Sequence, residues 1–386
     1  MAELEVSVVP CEEYDPGEVR RALERAVREI GGLDWVRPNM RVALKANLVT
    51  AMRPETAAVT HPVVCAEVTR MLTERGAQVI LGDSPGGPWG GGYLAGVYAA
   101  AGMKLVEDAG GMLNRDFSTE KVETAGGKIL HSFDATGWLL KCDAVVDVCK
   151  LKSHGLTGLS GAVKNLFGTV PGLVKTEYHY LYPRHEDFAS MLVDLAEYWK
   201  PTLCICDAVE AMEGNGPTQG TVRQVGVIAA SRSPHKLDLA LAGIMNLPGA
   251  EVPTLKEAMD RGLVPASYEA MRAPDLAPFR VEDFETVGRS PGLLLRSGHN
   301  SFLRRTAAAA VKKLLQPRPK LRTGCVGCGK CARMCPAHAI EMRRGKPFIN
   351  RKACIRCFCC QEFCVTGAMK AERSFAAKLL ISGRKT

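Results

Sequence analysis

The chain has 386 residues, 46% of them apolar and 24% charged. That make-up belongs to an ordinary globular protein long enough for a large domain plus a small one, and it excludes a disordered or collagenous chain. No uninterrupted apolar run of about 18 residues is present to span a membrane, and the opening "MAELEVSVVPCEEYD" lacks the basic and apolar regions of a secretory signal, so the expected location is the cytoplasm. The net charge of +9 conceals two opposed parts: residues 296–386 hold 21 lysines and arginines against Glu341, Glu362 and Glu372, leaving 29 against 38 in the first 295 residues. An acidic body therefore carries a basic tail, which can dock on that body or attract nucleic acid, anionic lipid or an acidic protein.

Residues 1–295 alternate short apolar runs with helical periodicity, the pattern of an α/β domain whose mostly parallel sheet is flanked by helices. In chain order, "GEVRRALERAVREIG" predicts a helix and "RVALKANLV" a strand. "HPVVCAEVTRMLTERG" predicts a helix with Pro62 near its start and Gly76 at its end, and "AQVILGDS" a second strand. Next comes "GDSPGGPWGGGYLAG", where Gly90, Gly92 and Ala95 satisfy G-x-G-x-x-[GA]. A dinucleotide fingerprint needs a strand immediately before it, and Pro88 and Trp89 intervene. We read this stretch as a mobile loop over a site, not as a nicotinamide pocket. Strands over "DAVVDVCKL", "TLCICDAV" and "QVGVIAAS" and helices over "DFASMLVDLAEYW" and "HKLDLALAGIMN" complete the body. Cys204 and Cys206 share one face of a predicted strand and are expected to be buried.

The polar residues of interest follow the strands. Lys45 and Asn47, Asp83 and Ser84, Lys150, Lys152 and His154, and Asp207, Glu213 and Asn215 all fall at carboxyl ends, where ligands bind in open α/β sheets. The stretch "CKLKSHGLTGLSGAVKNLFGTVPG", residues 149–172, adds Lys164 and Asn165. Lysines are usually solvated surface charges. Here Gly155, Gly158 and Gly161 would let the backbone approach a ligand and expose its N–H groups, which predicts a site for a carboxylate or phosphate, although no Walker A motif is present. His154 and His179 are candidate proton donors because histidine titrates near neutrality. Asp83, Asp207, Glu213 and Asp238 are candidate acids or hard-metal ligands, with turn formation and capping as the competing reading.

From residue 296 the alternation stops. "RSGHNSFLRRTAAAAVKKLL" reads as a basic helix and "QPRPKLR" as a stiff linker within 296–323; a cysteine module fills 324–372, and 373–386 form a short tail. Nine of the fifteen cysteines lie between Cys325 and Cys364, and clustered thiols in a reducing compartment indicate metal before disulfide. Cys325, Cys328, Cys331 and Cys335 give C-x2-C-x2-C-x3-C followed by Pro336; Cys354, Cys357, Cys360 and Cys364 repeat it, with Val365 in place of the proline. This doubled run resembles the bacterial two-cluster ferredoxin pattern, in which the fourth cysteine of each run ligates the other cluster. The resemblance implies two [4Fe-4S] clusters, one on Cys325, Cys328, Cys331 and Cys364 and the other on Cys354, Cys357, Cys360 and Cys335, within a small α+β domain. Structural zinc is the competing reading, but zinc ribbons usually separate two C-x2-C pairs by a longer spacer. Cys359 reads as a non-ligand that could replace Cys360 if that residue were lost.

"LKANLV", "GDSPGG", "KLKSHGLTGLSGAVKNLFGTVPG", "KTEYH" and "DAVEAMEGNGPTQG" resemble the uncharacterised iron–sulfur-centre proteins grouped as domain of unknown function 362, which commonly end in a two-cluster ferredoxin module. The resemblance implies one α/β body with an electron-transfer tail and supplies no substrate. The resulting expectation is a reductase that takes low-potential electrons from a soluble donor. Lys45, Lys150, Lys152 and Lys164 would neutralise an anionic substrate or cofactor in the body, with His154 or His179 supplying protons; a flavin could mediate, although no sequence feature demands one. The alternative is a non-catalytic electron carrier or docking protein whose body recognises a partner enzyme, with an acidic protein among the possible partners. Aromatic residues are scarce from residue 324 onwards (Phe348, Phe358, Phe363, Phe375), which argues against nucleic acid held by base stacking.

Overall fold

A computed structural model describes residues 3–286 and 317–372. The expected basic helix over 296–315 and the expected tail from 373 lie outside the described residues. In chain order the body runs β1 (Val6–Pro10), α1 (Pro16–Glu29), β2 (Arg41–Ala46), α2 (Pro62–Thr73), β3 (Gln78–Gly82), α3 (Gly91–Ala100), α4 (Lys104–Asp108) and β4 (Met112–Leu113). A hairpin of β5 (Thr119–Glu123) and β6 (Ser132–Thr136) follows, then α5 (Gly137–Leu140), β7 (Ala144–His154), β8 (Gly158–Ser160), α6 (Ala162–Asn165), α7 (Val174–Leu181) and α8 (His185–Trp199). The last elements of the body are β9 (Leu203–Glu213), β10 (Thr221–Ser231), α9 (Pro234–Ile244) and α10 (Pro253–Asp260).

The main sheet has the order β1-β10-β9-β7-β2-β3-β4, with β8 folded back on β7. From β9 to β4 every pairing is parallel, while β10 and β1 join antiparallel. Helices cover both faces, so the central strands read as continuous apolar runs. Along β7, Val146 and Val148 join the cluster that contains Leu23 and Val27 of α1 and Val64 and Val68 of α2. Cys149 and Leu151 point the other way, into the cluster with Leu237 and Leu241 of α9. Cys204 and Cys206 enter that second cluster too, as two-residue periodicity requires. Local signals set the helix starts: Asp15 accepts from the Glu18 N–H at 2.9 Å, and Pro62 and Pro234 occupy first turns.

Two expectations about the body need correction. The strand "DAVVDVCKL" does not end before the lysine–histidine stretch; β7 continues to His154 because Lys152, Ser153 and His154 pair with Ser160, Leu159 and Gly158 of β8. The stretch read as a loop over the site is a loop only to Gly90, since Gly91–Ala100 form α3.

In the C-terminal module β11 (Arg318–Leu321) pairs antiparallel with β14 (Met369–Glu372), and β12 (Ile340–Arg343) with β13 (Lys346–Ile349). The module therefore begins inside the segment read as a linker, and "RPKL" is its first strand. Short helical turns at Lys330–Arg333 and Cys359–Glu362 follow the cysteine loops. The apolar centre holds little more than Ile340, Ile349, Cys360 and Met369, too few to stabilise an independent unit of this size without further cross-links.

Candidate functional site

The carboxyl ends of β2, β3 and β7 surround a cavity of about 100 Å³. The body contributes Asn47, Asp83, Ser84, Lys152, His154, Lys164, Asn165 and His179, and the module contributes Cys359, Glu362 and Phe363. Eight of the residues singled out on sequence as substrate-binding or catalytic thus line one space. At about 15 Å³ per water-sized position, it suits a small ligand of a few heavy atoms.

The floor is a buried polar network. Lys45 is fully buried; its Nζ lies 2.8 Å from Asp83 Oδ1 and donates to the Ala46 carbonyl at 2.8 Å and to Asn165 Oδ1 at 3.2 Å. Asp83 also accepts from the Leu48 and Ser84 N–H groups at 2.7 and 2.8 Å. Asn165 donates to Asp147 Oδ1 at 2.6 Å and accepts from Asn47 Nδ2 at 3.2 Å. Gly168 makes room for this arrangement: a Cβ there would stand 2.1 Å from Asp83 Oδ1 and 2.7 Å from Lys45 Nζ. Lys45 therefore supports the cavity from beneath and does not line it.

The three lysines around the cavity differ. Lys152 donates to Asn47 Oδ1 at 2.6 Å and the Ala58 carbonyl at 2.8 Å; burial, helped by the Lys164 charge, pulls its ammonium down to about 7. Lys175, which sequence reading quoted within "KTEYH" but did not assign, donates to the Ser84 and Val170 carbonyls at 2.7 and 2.8 Å and is brought to about 7, chiefly by burial. Among the described residues Lys164 has no hydrogen-bond partner; its Nζ lies 4.5 Å from the Phe167 ring centroid, and burial lowers its pKa. Of the three, Lys164 is the cation with donors to spare.

His154 Nδ1 accepts from the Leu156 and Thr157 N–H groups at 3.0 and 3.2 Å. Those two bonds leave the proton on Nε2, which lies 3.4 Å from Glu362 Oε1. Burial lowers the His154 pKa, so the ring is neutral near pH 7. Burial opposes the charge on Glu362, yet contact with His154 and the Lys164 charge hold its carboxyl down at about 2. His179 stacks on Phe188 at 4.5 Å, its Nδ1 is buried without a partner, and burial lowers it to about 3.

The module is clamped onto this end of the sheet by the β9–β10 loop. Gln361 Nε2 donates to the Asn215 and Gly216 carbonyls at 3.0 and 3.2 Å, and Gln219 Nε2 to the Cys364 carbonyl at 3.1 Å. Phe363 packs so closely on Gly86 that a Cβ there would stand 2.5 Å from its ring. Phe358 holds φ of 64°, a left-handed conformation costing a bulky residue roughly 1–2 kcal/mol; its buried ring rests on Gly155, 3.6 Å from a Cβ placed there.

Several expected residues lie elsewhere. Lys150 is buried one step deeper on β7, where its Nζ meets Asp207 Oδ2 at 2.9 Å and Tyr14 Oη at 2.7 Å; its charge is already matched. Glu213 accepts from the Glu285 N–H at 3.1 Å, and Asn215 meets the module through its backbone, its side-chain amide being buried without a partner. Neither lines the cavity. The glycine-rich backbone does not present free N–H groups as expected: those of Ala162 and Val163 go to the buried carboxylate of Asp238 at 2.6 and 3.2 Å, and those of Leu156 and Thr157 to His154. Cys359, Glu362 and Phe363 were missed as cavity residues because the cysteine spacing does not state which side of the module faces the body.

The thiols fall into two groups. Cys331 has Cys364, Cys328 and Cys325 as its electrostatic neighbours, and Cys354 has Cys357 and Cys335. Cys360 joins the second group, with Cys357, Cys354, Cys335 and, last, Cys331 around it. Among the described residues no three His, Cys, Asp or Glu side chains converge on a single ion. The donor set fits clusters of several irons held by thiolates.

Residues 42–243 match the family described as a domain of unknown function, DUF362, and residues 320–365 match a 4Fe-4S dicluster domain. "Thylakoid-associated protein sll1697" of Synechocystis sp. (strain ATCC 27184 / PCC 6803 / Kazusa) is 33% identical over 272 residues, 68% of this chain and 81% of that protein. The lactate racemase apoprotein from Thermoanaerobacterium thermosaccharolyticum is similar in structure with a TM-score of 0.41 and 13% identity, over 64% of this chain and 57% of the racemase, little more than half its length. Among the described residues no helix is long and apolar enough to cross a membrane. With a match that runs from β2 to α9 and takes in every lysine around the cavity, the chain belongs to the domain of unknown function 362 family and carries a C-terminal 4Fe-4S dicluster ferredoxin domain.

Proposed function

We propose that this protein is an iron–sulfur oxidoreductase that moves low-potential electrons from a soluble donor to a small anion held in the cavity between body and module. One observation carries the reading: Cys359–Glu362, the turn that contains Cys360 and follows Cys357, is also a wall of the lysine-lined cavity. Cys325, Cys328, Cys331 and Cys364 would hold one [4Fe-4S] cluster, and Cys354, Cys357, Cys360 and Cys335 the other. When bound, such clusters supply electrons singly at low potential, and a pair stores enough for a two-electron reduction.

The chain's own groups do the rest. Lys164 binds the anion directly with its free donors, while Lys152 and Lys175, fixed by carbonyls and Asn47, maintain a positive field where negative charge develops on reduction. His154 holds a proton on Nε2 at the cavity wall, and Lys152, with a pKa of about 7, exchanges one near neutrality. Phe363 and Cys359 form the module's side of the cavity. At about 100 Å³ the space falls below the ~300 Å³ at which sites for larger cofactors begin, so the reading requires no flavin. The motif residues line a recess between body and module, which favours a small-molecule site over the carrier or docking alternative. The cytoplasm remains the proposed location; the name of the Synechocystis relative places that protein at thylakoids.

The test is anaerobic reconstitution with iron and sulfide, followed by EPR of the reduced protein titrated with acetate, oxalate, phosphate or sulfite. Two interacting four-iron signals, perturbed by one of these anions in the native protein but not in Lys164→Met, support the reading. Tightly bound zinc, or signals indifferent to every anion, contradict it.

A further inference from the structure

We propose that the outer face of the ferredoxin module, centred on Val326, Cys328 and Val365, is the docking surface for an acidic one-electron carrier protein. The inference rests on the electron-transfer reading above and adds where electrons arrive and from what kind of partner.

The two halves of the module are related by the doubled cysteine run. Gly327 and Gly329 in the first half correspond to Arg356 and Phe358 in the second, and all four have positive φ, at 72°, 70°, 60° and 64°. In the second half Phe358 is buried against Gly155, and Cys359 and Glu362 line the cavity. Their counterparts in the first half are Lys330 and Arg333, so one half forms the cavity roof and the other presents cations.

Val326 is 69% exposed and Val365 63% exposed. Single exposed apolar residues are commonplace, but these two directly follow Cys325 and Cys364, thiols grouped around Cys331, and Cys328, a further thiol of that group, is itself exposed. Basic residues flank the Cys328 loop. Arg333 donates to the Cys328 carbonyl at 3.0 Å, and the Gly345 carbonyl approaches within 2.8 Å of a Cβ placed on Gly327, which brings the turn carrying Arg344 and Lys346 beside the loop. Residues 317–372 contain twelve lysines and arginines and only Glu341, Glu362 and Glu372. Each of those carboxylates is engaged, by Arg343, His154 and Arg322 respectively. Among the described residues no carboxylate lies within ion-pair distance of Lys330, Arg333, Arg344 or Lys346, although Arg333 shares a cleft with Glu177 of α7.

An apolar centre over cluster thiols flanked by these cations suits a brief encounter with a negatively charged carrier: the cations steer and orient, and the small dry centre permits release. Each encounter oxidises the carrier by one electron and reduces the module by one, with no atom transferred, so a two-electron reduction in the cavity takes two encounters.

The experiment uses the full chain with its clusters reconstituted and reduced flavodoxin as the acidic probe, with cluster bleaching followed by stopped flow. The expected result is a rate that falls steeply with salt and drops ~10- to 1,000-fold in Arg333→Glu/Arg344→Glu/Lys346→Glu and also drops in Val326→Asp, while photoreduced deazaflavin, which needs no docking, reduces all proteins alike. Should the triple variant lose its clusters, Arg344→Glu alone, in an exposed turn, must still slow flavodoxin and not deazaflavin. An unchanged flavodoxin rate overturns the proposal, as does charge reversal that abolishes binding to anionic vesicles or duplex DNA but leaves flavodoxin unaffected. Missing cluster signals in the native protein would instead defeat the electron-transfer reading; intact signals with a salt-insensitive rate defeat only the docking face.

Discussion

His154 Nε2 and Glu362 Oε1 lie 3.4 Å apart, one on the central strand of the body and the other on the ferredoxin turn, and this contact makes a single polar site of two domains. Glu362 is the only carboxylate in the module that reaches the cavity, and its negative charge competes with a bound anion for Lys164. Glu362→Gln should therefore tighten anion binding, on the order of tenfold for a change of about 1.4 kcal/mol. Calorimetric titration with the anion found active by EPR checks this, and weaker binding in the variant would show that Glu362 helps to hold the ligand.

Anion affinity should depend on pH through Lys152. Burial and then Lys164 lower its pKa to about 7, Asp83 and Glu362 act upwards, and Lys150 downwards. Its ammonium is present below that value and lost above it, so affinity should fall as pH rises through neutrality. In Lys152→Gln the fall should shrink to the part that Lys175, also brought to about 7, contributes, and binding should be weaker throughout. Titrations on both sides of neutrality decide the matter.

Asp147 predicts an unusual stability profile. Desolvation raises its carboxyl from 3.8 to about 8, and its Oδ2 has no partner. The folded state thus binds this proton more tightly than the unfolded state, and its contribution to stability is lost as pH climbs from about 4 to about 8. Asp147→Asn should remove that decline and unfold at higher urea concentration than the native protein at alkaline pH. A native-like slope in the variant would place the titration elsewhere.

The Lys45–Asp83 pair is buried, so removing one partner leaves the other charge unmatched. Asp83→Asn should destabilise the body by about 3–5 kcal/mol, and Gly168→Ala by about 1–3 kcal/mol through overpacking, both measured by denaturant unfolding. A double replacement of Lys45 and Asp83 by apolar residues should cost less than Asp83→Asn alone.

Docking of the module should fail without unfolding the body in Gly86→Val, because the new side chain occupies the space of the Phe363 ring. Hydrogen exchange should then rise in residues 358–364 and the 215–219 loop and remain unchanged in β2 and β7. Protection retained in 358–364 would mean that the interface accommodates the change.

Much of this arrangement was legible in the sequence. Periodicity located the central strands and the long helices, because burial on both faces leaves uninterrupted apolar runs, and the cysteine spacing located the module, because a cubane constrains its ligands locally. Long-range pairing was not legible. Lys150 and Lys152 are two residues apart and look equivalent, yet Asp207 and Tyr14 match the first while Asn47 holds the second at the cavity. The glycines suggested open N–H groups, but Asp238, far along the chain, fills two of them. Phe358 occupies a position where the first half has glycine, and that substitution was the one available hint that the second half faces the body.

The most direct test of the central claim is electron–nuclear double resonance on the reduced, reconstituted protein with an isotopically labelled anion bound. The account predicts a coupling between the cluster spin and the label, present in the native protein and absent in Lys164→Met, whose anion site is lost. An anion that binds stoichiometrically yet shows no coupling would contradict it, because the cavity and the clusters would then not share one electronic neighbourhood.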